Sequence, residues 1–553
     1  MAKHPNNQKR QKQLALKRGS SAPAKFENRL EIKDIYFGTI DATDELDVGG
    51  PEAAEDFFNT FYIPANVSID KLLNGEKFFV YGLKGTGKTS LLRYLDEYIG
   101  RNSLSHTAPE LFMFSREFPR EIYDDVRKAF LEGKDPTVED RSAIYRDLDY
   151  EDVWIYIILK RISEVAASKD GKIFEKDKDL DRFTAYMNSI SGRETRQKLF
   201  RFLPNVRSGK VSLSANPSAD FDIDFDDESS REVTFHRYTA RALELFCELK
   251  PTPGGSFYLM FDEIDPRTAS GVLFELDCIL IRDLVVAIRR INTLSLKKGR
   301  GVYLLAAIRS EILEKVRQLG KEIHKRLEQF GYSMNWGDSG RATIEHPLIK
   351  MICSKIAYSE RKSGISLIPQ DIDEIVQYIW PRYFRKNKSQ QLDPKEILDW
   401  TWYRPRDFIR LFEICKEIDG NSEEISESLI NRGNKRYSNR SWAEIEAQMT
   451  LFIDPFSMEG IEKALTRFKR EFTLSEFESR LSDFSEKYTN SERLNRKYKA
   501  ADIISHLYKN GAIGNLHGTR LRFVFRGDAE PDFEGKLYVH RGLLPRFAIS
   551  LRR

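Results

Sequence analysis

A glycine-rich segment of this chain has the residue types that bind a polyphosphate. Residues 82–89 read GLKGTGKT and fit the pattern G-x-x-x-x-G-K-[ST] at every fixed position. Glycines allow backbone N–H groups to converge on phosphate oxygens, and the helix that follows presents its positive N-terminus. Lys88 would reach the β- and γ-phosphates, and the Thr89 hydroxyl would ligate Mg²⁺. The segment therefore predicts a nucleotide site formed by Gly82, Leu83, Lys84, Gly85, Thr86, Gly87, Lys88, Thr89 and Ser90.

A second group of reactive side chains follows an apolar run farther along the chain. Residues 256–263 read SFYLMFDE, the pattern of a buried strand that ends in two adjacent carboxylates. In phosphoryl transfer, Asp262 would hold Mg²⁺, usually through water, and Glu263 would orient or deprotonate the attacking water. Two acids can also end any strand at a solvated edge, but downstream of a phosphate-binding loop we expect the catalytic role. Asp265 would either support this site or cap a turn.

Arg309 is a third candidate site residue. It follows residues 302–308, which predict a strand, and a predicted helix over about 272–297 separates this strand from the Asp262 strand. Strand, helix and strand in this order predict a parallel unit, so the Arg309 strand should lie beside the strand that precedes the phosphate-binding loop. There Arg309 would sense the γ-phosphate. The alternative is an ordinary surface arginine that opens the next helix.

A fourth candidate comes from residues 403–412, which read YRPRDFIRLF. Pro405 suits the first turn of a helix, so Arg404 or Arg406 would project from the start of that helix.

These four motifs, in this order, resemble those of AAA+ ATPases and the related STAND and KAP NTPases over about residues 75–420. The resemblance implies ATP and Mg²⁺ as ligands, and it implies that Arg406 reaches the nucleotide from a helical lid as a "sensor 2" residue. Arg309 stands where AAA+ proteins usually carry a polar residue such as Asn. Lys88 and Asp262 are farther apart than in compact AAA+ domains, which predicts a large insertion. Arg326 is a candidate arginine finger.

The elements that must position these residues predict an α/β fold. Residues 77–81 form a strand pattern before the loop, residues 90–95 have helical spacing after it, and residues 111–114 predict a second strand. With the resemblance, the predicted architecture is a P-loop NTPase core with a parallel sheet and a large insertion, a helical lid and a C-terminal winged-helix-like domain. The predicted boundaries are 1–29 for a basic disordered tail, 30–345 for the core with its insertion at about 115–250, 346–445 for the lid and 446–553 for the last domain.

The last domain is predicted from helical patterns at 459–470, 473–488 and 498–509, followed by strands at 521–526 and 535–540. On a winged helix, its basic side chains would contact DNA phosphates, or they would form a solvated face. By resemblance, such modules also serve as packing or partner surfaces. The basic residues in question are Arg493, Arg496, Lys497, Lys499, Lys509, Arg520 and Arg522.

Three other segments have simpler interpretations. The basic tail would be solvated or would touch nucleic acid. The aromatic residues of 57–62 favour core packing over stacking on a base. Residues 220–227 alternate acidic and apolar side chains, which predicts a strand with one solvated face rather than a Ca²⁺ loop.

Composition limits the classes of protein that the chain can form. Of 553 residues, 41% are hydrophobic and 31% charged, which supports several solvated globular domains, and the net charge of +4 names no partner. We find no run long enough for a transmembrane helix and no apolar signal region, so we expect no membrane partner. The four cysteines match neither a zinc motif nor a disulfide framework, which favours the cytoplasm.

Together these features predict an ATP-binding and hydrolysing P-loop ATPase that acts as a nucleotide-driven conformational or assembly switch. By resemblance, the chain looks like the stand-alone ATPases of bacterial anti-phage defence, with a homo-oligomer, DNA or a separate effector protein as partners. The alternative is a DNA-binding regulator or scaffold in which ATP is a structural ligand without turnover. A third hypothesis is a sensor whose insertion binds a protein partner.

Overall fold

A computed structural model describes residues 29–102, 107–114, 149–168, 173–189, 210–212, 232–266, 272–337, 343–365, 368–387, 389–450, 452–487, 489–518, 520–528 and 530–550. Residues 1–28 of the predicted basic tail lie outside the described residues, as do the acidic stretch at 220–227 and much of the predicted insertion.

The described residues form short strands and mostly amphipathic helices. The strands are β1 Phe79–Gly82, β2 Thr107–Met113, β3 Lys210–Ser212, β4 Glu232–Thr234, β5 Ser256–Ile264, β6 Val302–Arg309, β7 Gly331–Ser333, β8 Phe384–Asn387, β9 Gln390–Gln391, β10 Ile425–Ser426, β11 Glu471–Phe472, β12 Ile513–His517, β13 Arg520–Arg522 and β14 Lys536–Val539. The helices of the first part are α1 Ala42–Val48, α2 Gly50–Thr60, α3 Ile69–Leu73, α4 Lys88–Asn102, α5 Glu151–Ala167, α6 Lys178–Asn188, α7 Phe235–Glu248, α8 Val272–Lys298, α9 Ser310–Gln318 and α10 Ile323–Phe330. The remaining helices are α11 Pro347–Lys362, α12 Ile372–Tyr383, α13 Pro394–Leu398, α14 Pro405–Asp419, α15 Glu427–Met449, α16 Pro455–Leu465, α17 Leu474–Ser485, α18 Thr489–Lys497 and α19 Ala500–Lys509.

A five-stranded sheet in the order β2-β5-β6-β1-β7 forms the centre of the first part, and all of its strand pairs are parallel. The predicted helix over about 272–297 is α8, and it connects β5 to β6. The Arg309 strand, β6, lies beside β1 as predicted, with Gly82 in register with Arg309. Because the strands are parallel, the loop after β1, the acids that end β5 and Arg309 all lie at one edge of the sheet. The fold class is therefore α/β.

The two faces of this sheet belong to two different hydrophobic cores. Side chains alternate along each strand, so Phe79 packs into one core and Val80 into the other, and Leu259 and Met260 divide in the same way. The Phe79 face lies under α5, α7 and α8. The Val80 face packs with α4 and with the helices that follow residue 346, so the predicted lid shares a core with the sheet.

The described parts of the predicted insertion form helices α5, α6 and α7 and the short strands β3 and β4. The sequence has helical patterns over 151–167 and 231–249, and the structure has α5 Glu151–Ala167 over the first range and β4 followed by α7 Phe235–Glu248 in the second. The indole of Trp154 on α5 donates a hydrogen bond to the carbonyl oxygen of Leu280 on α8 at 2.9 Å. These helices therefore complete one face of the core instead of forming a separate module.

A short amino-terminal segment crosses the helices after residue 346. The backbone N–H groups of Ile32 and Lys33 donate to the carbonyl oxygens of Ser422 and Gly420, both at 2.8 Å. Phe37 stacks on Phe412 of α14 with ring centroids 5.4 Å apart. The chain then enters α1, so this segment ties α14 to the core.

The last part contains helices α16 to α19 and an antiparallel sheet in the order β11-β14-β12-β13. Two details of the sequence prediction are wrong. The strand expected at 521–526 ends at Arg522 and is followed by a 3-10 turn at Val524–Arg526. The two predicted strands, expected to form a hairpin, correspond to β13 and β14, but these do not pair with each other because β12 lies between them. The predicted boundary at residues 445–446 falls inside α15.

Across the described ranges, even the longest helix, α8, carries too many charged residues for a bilayer span, and none of the other helices qualifies.

Candidate functional site

Three glycines shape the loop between β1 and α4. Gly85 and Gly87 have φ angles of +84° and +91°, a left-handed conformation that costs other residues about 1–2 kcal/mol. Gly82 has no room for a side chain, because a Cβ atom there would lie 2.8 Å from the carbonyl oxygen of Met334. Helix α4 begins directly after the loop, at Lys88. The N–H groups of its first turn have no intrahelical acceptors, so this end of the helix attracts anions.

The Lys88 side chain folds back onto its own loop. Its Nζ donates hydrogen bonds to the carbonyl oxygens of Gly82 and Leu83, both at 2.9 Å. Burial lowers the pKa of Lys88 to about 8, although Glu311 and Asp265 oppose this shift. The ammonium is therefore charged at pH 7, and its partners are neutral carbonyls that an anionic oxygen would outcompete.

A distortion at the end of β5 brings two adjacent carboxylates to one side of the sheet. Glu263 has a φ of +52°, and the pairing of β5 with β6 shifts register between Phe261 and Ile264. Adjacent side chains of a regular strand point to opposite faces, whereas Asp262 and Glu263 line the same cleft. Burial raises the pKa of Asp262, and hydrogen bonds from the Glu263 backbone and the Thr89 side chain oppose this rise. Within the described part of the chain, Asp262 Oδ2 has no hydrogen-bond partner.

Arg309 at the end of β6 forms an ion pair with Asp265, the residue that follows β5. Its Nη2 lies 2.6 Å from Oδ2 of Asp265. Burial raises the pKa of Asp265, and the charge of Arg309 opposes this rise. Of the two roles that the sequence left open for Asp265, this ion pair favours support of the site.

The start of helix α14 contacts the loop directly. Arg404, which precedes the helix, donates from Nη1 to the carbonyl oxygen of Lys84 at 3.0 Å. The backbone N–H of Arg406 donates to the carbonyl oxygen of Gly85 at 3.4 Å. A methyl group on Gly85 would lie 3.3 Å from Cβ of Arg406. The helix predicted to begin at Pro405 therefore does so against the loop.

A buried charge network fixes the arginines of α14. Asp407 lies 2.7 Å from Nε of Arg404 and also pairs with Arg410. Glu444 on α15 accepts from Nη1 of Arg406 at 2.9 Å and pairs with Arg410. Burial alone would raise the pKa of Glu444, but the charges of Arg404, Arg410 and Arg406 hold it well below its usual value. The network ties the start of α14 to α15.

These elements enclose an open cleft at the carboxyl ends of β5 and β6. Among the residues predicted from sequence, the cleft is lined by Lys84, Gly85, Gly87, Lys88, Thr89, Asp262, Glu263, Arg309 and Arg406. The other predicted loop residues, Gly82, Leu83 and Thr86, do not line the cleft. Their carbonyl oxygens accept hydrogen bonds from Lys88 or Trp336. Ser90 lies on a second cavity. Arg326, on α10, lies near Arg289 and Glu151 instead of on this cleft.

The second cavity shares Gly87 with the cleft and is mostly apolar. Of the aromatic residues predicted to pack in the core, Phe57 is buried and Phe61 and Tyr62 are partly buried, and all three line this cavity. The polar side chains at the cavity include those of Thr39, Glu45, Thr60, Ser90 and Lys355.

Trp336 connects this second cavity to the loop. Its indole Nε1 donates to the carbonyl oxygen of Thr86 at 2.9 Å, and its ring is tilted against Tyr62 with centroids 6.2 Å apart. Sequence reasoning missed Trp336, Lys355 and Glu444, because each follows no motif and becomes part of the site only through packing of distant segments.

The carboxyl-terminal part of the chain packs on the residues just before α14. Trp402 donates from Nε1 to the carbonyl oxygen of Gly511 at 2.8 Å and stacks on His540 with centroids 4.1 Å apart. Tyr403, with a φ of +52°, accepts a hydrogen bond at its hydroxyl from Arg526 at 2.9 Å. The last part of the chain therefore braces the residues that precede Arg404.

Comparison with known proteins adds one finding about the helices after residue 346. Residues 347–446 are similar to a family described as the FunZ-associated C-terminal helical domain. A search of curated proteins finds no match to this chain. The matched segment covers nearly the same residues as the predicted lid and includes the Arg404–Arg410 charge network, so this stretch of the chain resembles the FunZ-associated helical domain.

Proposed function

We propose that this protein is a P-loop ATPase that binds ATP with Mg²⁺ in the cleft and hydrolyses it. One observation carries the proposal: the glycine loop with Lys88, the acids at the end of β5 and the arginines Arg309 and Arg406 all line one cleft. These residues come from four separate parts of the chain, so chance proximity is a poor explanation of their convergence.

The loop would bind the triphosphate mainly through backbone groups. Gly85 and Gly87 line the cleft, so their N–H groups would donate to the phosphates, and the first turn of α4 would add its own. Lys88 would exchange its bonds to Gly82 and Leu83 for phosphate oxygens, which are stronger acceptors because they carry charge.

Thr89 and Asp262 fit a magnesium ion. Asp262 Oδ2 is buried without a hydrogen-bond partner among the described residues, which leaves an oxygen for a metal or its water. The described residues hold no group of three or more His, Cys, Asp or Glu side chains suited to a metal. Thr89 and Asp262 would suffice for Mg²⁺, because this ion takes one or two protein ligands and fills its other positions with phosphate and water. When bound, the ion would neutralise charge on the phosphates.

Glu263 is the residue that we propose to act on the attacking water. The left-handed backbone at Glu263 turns its carboxylate toward the cleft that Lys88 also lines. From there it would orient the water or accept its proton.

Arg309 and Arg406 would report the state of the nucleotide. Both arginines line the cleft, where Arg309 pairs with Asp265 and Arg406 pairs with Glu444. A bound phosphate would compete with these acids for the two arginines. Release of Arg406 from Glu444 would loosen α14 from α15. The carboxyl-terminal part packs on the residues before Arg404. We therefore propose that ATP hydrolysis changes the position of the carboxyl-terminal part. A role in bacterial anti-phage defence, with self-assembly or a separate effector, extends this proposal by resemblance.

The second cavity is a suitable place for the nucleoside. It adjoins the loop at Gly87 and Ser90 and has aromatic walls at Tyr62 and Trp336, on which a base would pack. ATP would then span both cavities, with its phosphates against the loop.

The substitution Glu263→Gln tests the proposal. Wild-type protein should hydrolyse ATP, and the variant should bind ATP with similar affinity but hydrolyse it at least about 100-fold more slowly, because the amide cannot act as a base. Glu314→Gln, at an exposed position on α9, is the matched control and should retain turnover. If wild-type protein binds no ATP by calorimetry, the ATPase proposal fails. If it binds ATP without turnover under any condition, including with DNA, the alternative of a structural nucleotide is favoured.

DNA binding by the carboxyl-terminal part is a second proposal with narrower support. Its helices and antiparallel sheet suit a winged helix, but Arg493 and Lys497 pair with Asp454, Arg496 with Glu492, and Arg522 with Asp528. The exposed candidates for which the described residues offer no ion-pair partner are Lys499, Lys509 and Arg520. Combined Lys499→Ala and Lys509→Ala should weaken duplex binding and lower its salt dependence, measured by fluorescence anisotropy. Unchanged anisotropy curves would remove DNA as a partner of this surface.

A further inference from the structure

Lys355 on α11 is a buried lysine that no predicted motif includes. Its side chain is 7% exposed, although an ammonium is costly to remove from water. Nζ donates to Thr60 Oγ1 at 3.0 Å and lies 4.7 Å from the ring centroid of Tyr36. An ammonium has three N–H bonds, and within the described residues Thr60 is its only hydrogen-bond acceptor. Two donors are therefore left for another acceptor.

The neighbouring acid does not supply that acceptor. Glu45, itself 6% exposed, accepts hydrogen bonds from the Tyr36 hydroxyl and from Thr39, whose N–H and Oγ1 lie 3.4 and 3.3 Å away. It stabilises the charge of Lys355 without an ion pair at contact distance, and burial still lowers the pKa of Lys355 to about 8. Glu45 and Asp56 therefore balance the charge, and two of the three ammonium donors have no acceptor among the described residues.

The chain also keeps space open beside this ammonium. Gly38 has a φ of +88°, and a Cβ atom there would lie 3.2 Å from Lys355 Nζ. Both Gly38 and Lys355 line the second cavity, together with the aromatic rings of Tyr62 and Trp336. A flat ligand between these walls would bring a ring acceptor to the ammonium.

We propose that Lys355 is the specificity-determining residue of the nucleotide site and donates a hydrogen bond to a ring nitrogen of a purine base in the second cavity. This inference rests on the proposed function, because the phosphates must lie at the loop for the base to enter this cavity. Purines carry ring nitrogens with in-plane lone pairs, and loss of a hydrogen bond to a buried charge is costly. Bases that offer no acceptor to the ammonium group of Lys355 would therefore bind more weakly.

The experiment compares ATP with its 1-deaza, 3-deaza and 7-deaza analogues, each of which replaces one ring nitrogen by CH. Wild-type protein should bind one of the three about 10- to 100-fold more weakly than ATP in calorimetry. Lys355→Met should weaken ATP binding by a similar factor and should no longer distinguish that analogue from ATP. A purely structural role of Lys355 would weaken all four ligands equally and keep the preference.

Lys362→Met is the matched control. Lys362 lies on the same helix and pairs with Glu52 and Asp56 of α2, but it does not line the cavity, so the analogue preference should remain. If wild-type protein binds ATP and all three analogues equally, the inference is wrong while the ATPase proposal stands, and this result needs no variant. If wild-type protein binds no nucleotide, both are wrong. If wild-type protein and Lys355→Met prefer ATP over the deaza analogue by the same factor, Lys355 does not recognise the base.

Discussion

The two cavities that meet at Gly87 each bury one lysine, and the two lysines are held in different ways. Lys88 donates to carbonyl oxygens of its own loop, five and six positions away in the chain. Lys355 donates to Thr60, 295 positions away. Burial lowers the pKa of both to about 8. A local motif therefore positions Lys88, whereas the packing of distant segments positions Lys355. Substitutions should accordingly affect the two sites differently.

Removal of the local charge should have the largest effect on binding. Lys88→Met is expected to weaken ATP binding by at least about 100-fold, because the triphosphate loses its buried cationic partner. Calorimetry measures this loss, and thermal unfolding should show that the variant remains folded. Lys71→Met, on α3, is the control and should bind like wild type. An affinity of Lys88→Met within threefold of wild type would contradict the proposed role of the loop.

The charge network behind the first cavity should be sensitive to a single substitution. Glu444→Ala is expected to lower the free energy of unfolding by about 3 kcal/mol, because Arg406 and Arg410 lose a buried partner. Urea unfolding measures the change. The control is Glu446→Ala on the same helix, which should stay within about 0.5 kcal/mol of wild type. Equal losses in the two variants would mean that the network does not stabilise the α14–α15 contact.

Proton uptake compares the two lysines directly. A bound phosphate or base acceptor favours the charged form of each lysine and so raises its pKa above the value of about 8 in the free protein. Affinity for ATP should therefore fall as the pH rises above 8, by up to about tenfold per pH unit for each lysine. At pH 9, calorimetry in buffers of different ionisation enthalpy should give an uptake that approaches two protons per ATP.

The variant Lys355→Met should reduce this uptake to about one proton, which would assign the other to Lys88. An uptake that is the same in both proteins would mean that the two lysines do not both contact the ligand.

The smallest expected effect separates loop geometry from its contact with α14. Gly85 and Gly364 have nearly equal φ angles of +84° and +86°, but only Gly85 faces a neighbour, Arg406. Gly364→Ala should cost about 1 kcal/mol of unfolding free energy from backbone strain alone. Gly85→Ala should cost that amount plus up to about 1 kcal/mol for crowding, and it should also weaken ATP binding. Equal stability losses and unchanged ATP affinity in Gly85→Ala would show that the contact with Arg406 is unimportant.

The parts of the fold that follow from sequence are those in which neighbours in the chain determine the element. The long helix α8 and the buried strands β5 and β6 have clear periodicity, and the alternation of strand, helix and strand predicts a parallel sheet. Because parallel strands end at the same edge, the order of strands also predicts that Asp262 and Arg309 lie near the loop. The two-residue strand β11 and strand β12, which contains Gly514 and Asn515, have little strand character, so their pairing required the tertiary structure.

The second cavity depends on contacts that no run of residues reveals. Its lining comes from well-separated segments that include Gly38, Tyr62, Trp336 and Lys355. The aromatic run at 57–62 indicates burial but not which of its rings face a cavity. The left-handed conformation of Glu263 is similarly invisible in sequence, because it is imposed by the surrounding sheet and not by a glycine or a turn motif.

The position of Trp336 gives the molecule a built-in optical signal. Its indole is bonded to the loop backbone and borders the space assigned to the base, whereas the other five tryptophans, Trp154, Trp380, Trp400, Trp402 and Trp442, line neither cavity. Indole emission changes with hydrogen bonding and with a stacked aromatic neighbour, so occupancy should alter the intrinsic fluorescence of unlabelled protein. Trp336→Phe should abolish that change, which would allow rapid-mixing experiments to time entry and departure of the nucleotide without a dye.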